Sequence, residues 1–186
     1  MSRVYLDYNA TAPMRPQSRQ AVIDGLEAGN PSSVHYEGRQ ARAMMDTARR
    51  EIAALCKAKP EGVIFTSGGT EACNLAMQIS AAPAGRVGRI VISAIEHMAV
   101  TKAAHATGLP VEILPVTETG VVDLTALDTV LEDALPALVC VMVANNETGV
   151  IQPIQAICER VHAHGSLLFC DAVQAAGKMP LDMKSL

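Results

Sequence analysis

Apolar positions along this chain change period repeatedly, and the changes predict its elements. Tyr5-Leu6 is a short extended piece, and residues 16–28 predict a helix that ends near Gly29. Asn30-Pro31-Ser32-Ser33 reads as a loop. Across residues 39–56, Ala41, Met44, Met45, Ala48, Ile52 and Leu55 fall at helical spacing on one face. Residues 63–65 and 89–93 read as strands, with a helix over 70–82 between them. Residues 98–107 predict a helix and 111–116 a strand. Leu124, Leu127, Leu131 and Leu135 mark a further helix, opened by Asp123. The unbroken apolar run 138–144 reads as a strand buried on both faces. Pro153 starts a helix whose inner face is Ile154, Ile157, Cys158 and Val161, ending near Gly165, and residues 166–170 give the last strand. Strands alternating with helices of this length predict an α/β fold, a mainly parallel sheet with helices on both faces.

In such sheets ligands bind at the carboxyl ends of the strands. Four polar clusters fall there: Thr66-Ser67-Gly68-Gly69-Thr70-Glu71, Ser93-Ala94-Ile95-Glu96-His97, Asn145-Asn146-Glu147-Thr148-Gly149 and Asp171-Ala172-Val173-Gln174. In the first, glycines admit a ligand to the backbone N–H groups, hydroxyls donate, and the following helix adds its dipole, which is the chemistry of an anion site. The spacing is neither that of a P-loop nor that of a dinucleotide turn, which leaves a single phosphate. A plain capped turn accounts for the same residues. His97 reads equally as a polar loop residue, and the two amides of Asn145-Asn146 as turn caps. Asp171 at a strand end needs a partner, and an aromatic nitrogen cation would serve. Taken together, a phosphate cradle, a ring to stack, an amide for a phenolic oxygen and a carboxylate for a pyridinium nitrogen describe a pyridoxal phosphate (PLP) pocket.

Composition narrows the classes. The chain has 186 residues, 49% apolar and 18% charged, enough to bury a core. A net charge of −4 without a basic run, and only 3% aromatic residues, argue against a nucleic-acid partner. The N-terminus MSRVYLDYNA carries no apolar signal core, and the longest apolar run is too short to span a membrane. Five cysteines, none in a CxxC pair, fit reduced thiols in the cytoplasm.

The stretches Tyr5-Leu6-Asp7-Tyr8-Asn9-Ala10-Thr11, Gly29-Asn30-Pro31-Ser32-Ser33, Phe65-Thr66-Ser67-Gly68-Gly69-Thr70-Glu71, Glu96-His97, Ala144-Asn145-Asn146-Glu147-Thr148-Gly149 and Asp171-Ala172-Val173-Gln174-Ala175-Ala176-Gly177-Lys178 occur together and in this order. In this the chain resembles the NifS/IscS-like cysteine desulfurases of the class V aminotransferase family. The resemblance implies a type I PLP-dependent aminotransferase-like fold. Residues 1–186 would form the N-terminal segment and most of the PLP-binding large domain. It implies a homodimer, L-cysteine as substrate, alanine as product, and an enzyme persulfide passed to a sulfur acceptor or iron–sulfur scaffold protein. It also implies that Gly69 and Thr70 bind the cofactor phosphate, that His97 stacks on the ring and assists proton transfer, and that Asn146 approaches the phenolic oxygen and the substrate. Asp171 would pair with the ring nitrogen and Gln174 with the phenolic oxygen. No metal is implied.

The family's Schiff-base lysine lies in a Ser-Gly-His-Lys segment a few tens of residues beyond the Asp-x-x-Gln strand, and Leu186 precedes that point. Lys178 corresponds to the structural Gly-Lys after the glutamine and is no substitute. None of the five cysteines corresponds to the family's nucleophile, and the small C-terminal domain has no counterpart here. The expectation is that the 186-residue polypeptide alone releases no alanine from cysteine beyond the background of free PLP, with His97→Ala and Asp171→Ala as controls. Three other readings stay open: another class V enzyme (a selenocysteine lyase or an aminotransferase), a non-catalytic half that binds a partner chain, and a remnant without function. The intact mass of the natively produced protein separates a fragment from a complete half-length chain.

Overall fold

The computed structural model describes residues 4–82, 87–132 and 135–185. Met1–Arg3 of the N-terminal stretch, Ala134 of the apolar stretch before Pro136, and Leu186 lie outside the described residues. The chain forms two compact units, Met1–Ile64 and Phe65–Leu186.

The first unit holds helices α1 (Pro16–Leu26) and α2 (Tyr36–Leu55) and one 3₁₀ turn, Pro60–Gly62. Pro16 opens α1, where its missing N–H costs nothing. The loop at Asn30–Ser33 packs so closely on α2 that a β-carbon on Gly38 would stand 2.3 Å from the Ser33 carbonyl oxygen. Of the apolar face read for α2, Ala41 is buried and Ala48 half-buried, while Met44, Met45, Ile52 and Leu55 are exposed, and only Gly38, Ala41 and Ala53 of α2 are buried.

The second unit is the α/β layer structure. Helix α3 (Gly69–Ala81) precedes β1 (Arg89–Ser93), α4 (Met98–Ala106), β2 (Val111–Leu114), α5 (Leu124–Leu131), β3 (Ala137–Cys140), α6 (Ile154–Ala163) and β4 (Leu167–Phe169). The strands run in the order β2-β1-β3-β4, and every pairing is parallel. The period-2 alternation of β1 divides the core. Ile90 and Ile92 face Cys73 and Met77 of α3 and Val100, Ala103 and Ala104 of α4. Val91 faces the opposite layer, with Leu127 and Leu131 of α5 and Ile157 and Val161 of α6. The chain leaves β1 for β2 on one side and returns to β3 on the other. The gap between the carboxyl ends of β1 and β3 is therefore the switch point where such sheets bind ligands.

Two expectations are corrected. Residues 63–65 form no strand, because no neighbouring strand among the described residues pairs with them; Ile64 and Phe65 are exposed. Helix α5 ends at Leu131 rather than reaching Leu135. The buried Arg89 guanidinium takes the carbonyls of Val130 and Leu135, at 2.7 and 3.0 Å, and pairs with Glu112 at 2.9 Å. Asp123 caps α5 as expected, its Oδ1 accepting from the N–H groups of Thr125 and Ala126.

Candidate functional site

The four polar clusters converge beyond the carboxyl ends of the strands, linked in a closed ring. Gly69 lies against Val173, whose Cγ2 is 4.0 Å from the place a β-carbon on Gly69 would occupy. Thr70, Asn74 and His97 line one cavity of about 340 Å³ with Met98, Ala99 and Lys102. The Asn145 amide donates to the Ile95 carbonyl at 3.1 Å. The Val143 N–H donates to the Asp171 carbonyl at 2.8 Å, carrying the β3–β4 ladder past its last paired residues.

At the head of α3 the three hydroxyls expected to donate are divided. Thr66 Oγ1 donates to the Gly68 carbonyl, and Ser67 gives both its hydroxyl and its N–H to Glu71 Oε2, at 2.5 and 2.6 Å. These bonds hold the Glu71 carboxyl below the usual carboxylate range, the hydroxyl contributing most. Thr70 keeps its hydroxyl unengaged among the described residues, beside first-turn amides that no intrahelical carbonyl can reach. Gly68 has extended backbone, φ 166°, and a β-carbon there meets nothing within 4 Å. Neither glycine of the pair is demanded by strain or by protein neighbours. What the pair preserves is open space above N–H donors, which suits a phosphate.

His97 caps α4, its Nδ1 accepting the Ala99 N–H at 3.1 Å. A neutral ring therefore carries its proton on Nε2. Asp171 Oδ1 accepts the Val173 N–H at 2.9 Å. Asn146 donates to Glu147 Oε1 at 3.0 Å, within its own loop. Gln174 Oε1 accepts from Lys178 Nζ at 2.6 Å, which leaves Nε2 as the donor end of the amide. Gly149, at φ +75°, closes the Asn145 loop in the left-handed region that glycine favours, its N–H returning to the Asn145 carbonyl.

Two residues here escape sequence reasoning. Asn145, not Asn146, is the buried hub of its loop: Oδ1 accepts from the N–H of Glu147, the N–H of Thr148 and the Thr148 hydroxyl. Glu96 links Ser93 to Met142. Ser93 lies in the same cluster as Glu96, but the Met142 N–H on Glu96 and the Ile95 carbonyl bonded by Asn145 are backbone groups 46 and 50 residues away, which no motif signals.

The five cysteines form no disulfide among the described residues, and burial pushes the thiols of Cys73, Cys140, Cys158 and Cys170 up, that of Cys170 to about 12. A thiol so placed is a poor nucleophile.

The family model for aminotransferase class-V matches residues 4–186. The chain belongs to the class-V aminotransferase family. It is 42% identical to a cysteine desulfurase of Cereibacter sphaeroides, over 99% of this chain and 49% of that protein. A NifS-like protein from Rickettsia africae superposes with a TM-score of 0.88 at 32% identity, over 98% of this chain and 51% of that one. A structure described as SspA in complex with cysteine matches with a TM-score of 0.86 at 27% identity, over 97% of this chain and 54% of that one. The chain thus spans about half the length of the curated relatives it matches. Its fold is that of the NifS-like PLP enzymes, a parallel sheet between helical layers. No helix among the described residues of this class-V chain is long and apolar enough to cross a membrane.

Proposed function

We propose that the protein is a PLP-dependent cysteine desulfurase, and that this chain supplies the non-covalent wall of its cofactor site within the large domain. The observation that carries this reading is the closed ring of four clusters at the switch point, formed by a chain whose relatives are cysteine desulfurases. The donor set fits the cofactor. Gly69 and Thr70 offer amides and one hydroxyl to the phosphate. His97 presents a ring whose edge is fixed by its cap bond. Gln174 and Asn146 carry amide donors for the phenolic oxygen, and Asp171 carries a carboxylate for the ring nitrogen. When bound, PLP supplies an electron sink for the bonds broken in the substrate.

In this reading the chain's own residues bind and orient. Asp171 keeps a proton on the ring nitrogen, where the sink needs it. His97 moves a proton at Nε2. The cysteine bound to a structural relative favours L-cysteine as the substrate class. A homodimer, a sulfur-acceptor or iron–sulfur scaffold partner and a cytoplasmic location complete the proposal, five cysteines without a disulfide among the described residues fitting a reducing compartment.

The test is product analysis on the protein as its source cell makes it. With L-cysteine and PLP it should release alanine and leave a matching amount of sulfur on protein thiols, and Asp171→Asn should bring both to background. Formation of an amino acid from a keto acid, or release without dependence on Asp171, would overturn the assignment.

A further inference from the structure

Parallel strands alternate the side to which successive N–H groups point. Beyond β3, Val141 donates to the Phe169 carbonyl and Val143 to the Asp171 carbonyl, both toward β4. The N–H of Met142 faces the other way. The ladder between β1 and β3 ends at Ile92 and Cys140, because β1 stops at Ser93 and the chain turns toward His97. No backbone carbonyl of β1 remains for Met142.

Glu96 fills that place with a side chain. Its Oε1 accepts the Met142 N–H at 2.7 Å and the Ser93 hydroxyl at 2.5 Å. The bond joins residues 46 apart in sequence, directly across the switch point. A second tie, from Asn145 to the Ile95 carbonyl, lies beside it. The other oxygen, Oε2, is buried and has no hydrogen-bond partner among the described residues. Among the described residues the charge that acts on Glu96 is that of Asp171, a carboxylate past β4, and the Glu96 charge in turn raises the buried thiols of Cys73 on α3, Cys140 on β3 and Cys170. An ionised oxygen there would be buried without a donor and close to another carboxylate, which costs far more than a buried hydroxyl.

We propose that Glu96 is a positioning residue: as the neutral acid it replaces the missing strand neighbour beyond β1 and fixes the turn that carries His97 against the segment leading to Asn145 and Asn146. Burial pushes the Glu96 carboxyl up to about 7, the Ser93 and Met142 bonds oppose the rise, and the Asp171 charge adds to it. The clamp joins two of the four clusters without any ligand. Only the catalytic meaning of His97's position rests on the desulfurase reading.

The experiment is amide hydrogen exchange and carboxyl-carbon NMR on the full protein without added PLP. In the wild type the Glu96 carboxyl should titrate near neutrality, and the Met142 amide shift should follow it. Glu96→Gln keeps an acceptor and cannot ionise, so Met142 should stay protected and its shift should be flat with pH. Glu96→Ala should speed Met142 exchange at least about tenfold while Val141 and Val143, bonded toward β4, stay protected. A Glu96 carboxyl that titrates as an ordinary glutamate, or a Met142 amide equally protected in Glu96→Ala, would overturn the proposal. Should Glu96→Ala fail to fold, the wild-type titration and Glu96→Gln still decide. Absence of PLP binding would sink the functional reading and leave these readouts unchanged.

Discussion

Val173 Cγ2 lies 4.0 Å from the position a β-carbon would take on Gly69, an ordinary contact and, among the described residues outside its own helical turn, the only one within 4 Å. The head of α3 and the strand end carrying Asp171 are therefore neighbours with open space above them. Gly69→Ala should leave the apo fold intact or stabilise it by a few tenths of a kcal/mol, since alanine is the better helix former. The added methyl group would stand where the phosphate approaches the amides. Loss of one charge-assisted bond should weaken PLP binding by roughly tenfold or more. Thermal unfolding and a PLP fluorescence titration read the two effects separately. A destabilised apo protein with unchanged affinity would contradict this assignment.

Glu96 makes stability fall with rising pH. Its folded value, about 7, is above the ordinary 4.5, so the folded state holds a proton that the unfolded state releases. The contribution is fully present below about pH 4.5 and is lost as pH rises through about 7. It amounts to roughly 3 kcal/mol at most. Wild-type stability minus that of Glu96→Gln should fall across this window and level off above it. Denaturant unfolding at several pH values checks this, and a difference independent of pH would refute it.

The Glu71 pairing has the opposite sign. Its carboxyl lies below the ordinary 4.5 through two bonds from Ser67, so its contribution is present above that pH and is lost as pH falls through the folded value. Glu71→Gln should lower the thermal midpoint at pH 7, and the gap should close in acid. A gap of constant size from pH 7 to pH 3 would argue against the cap.

The Asn145 side chain, in a residue 6% exposed, accepts three hydrogen bonds within its loop and donates one to the Ile95 carbonyl. Asn145→Ala strips the partners of several buried groups and should cost about 2–4 kcal/mol. Asn146→Ala, at a half-buried position of the same loop, should cost under about 1 kcal/mol. Urea unfolding of the two variants measures the contrast. Equal losses would mean that Asn145 is not the hub.

The order of strands and helices from Arg89 onward was legible because each strand is a short apolar segment, β1 and β3 buried on both faces, and each helix carries one apolar face. That pattern alone places His97, Asn146 and Asp171 past strand ends. Val63-Ile64-Phe65 misled for a physical reason: apolar character marks a segment able to pair and says nothing of whether a neighbour is there. The α2 stripe misled likewise, since periodicity identifies a face and not what covers it. The role of Glu96 was hidden because its partner is a backbone N–H 46 residues away, which only the sheet brings into reach.

The most direct test of the central claim is nitrogen NMR of ring-labelled PLP bound to the protein as its source makes it. The ring nitrogen should be protonated in the wild type and unprotonated in Asp171→Asn, with the cofactor still held through Gly69 and Thr70. A ring nitrogen in the same state in both proteins would mean that Asp171 does not face the ring, and that the strand-end cluster is not the cofactor site.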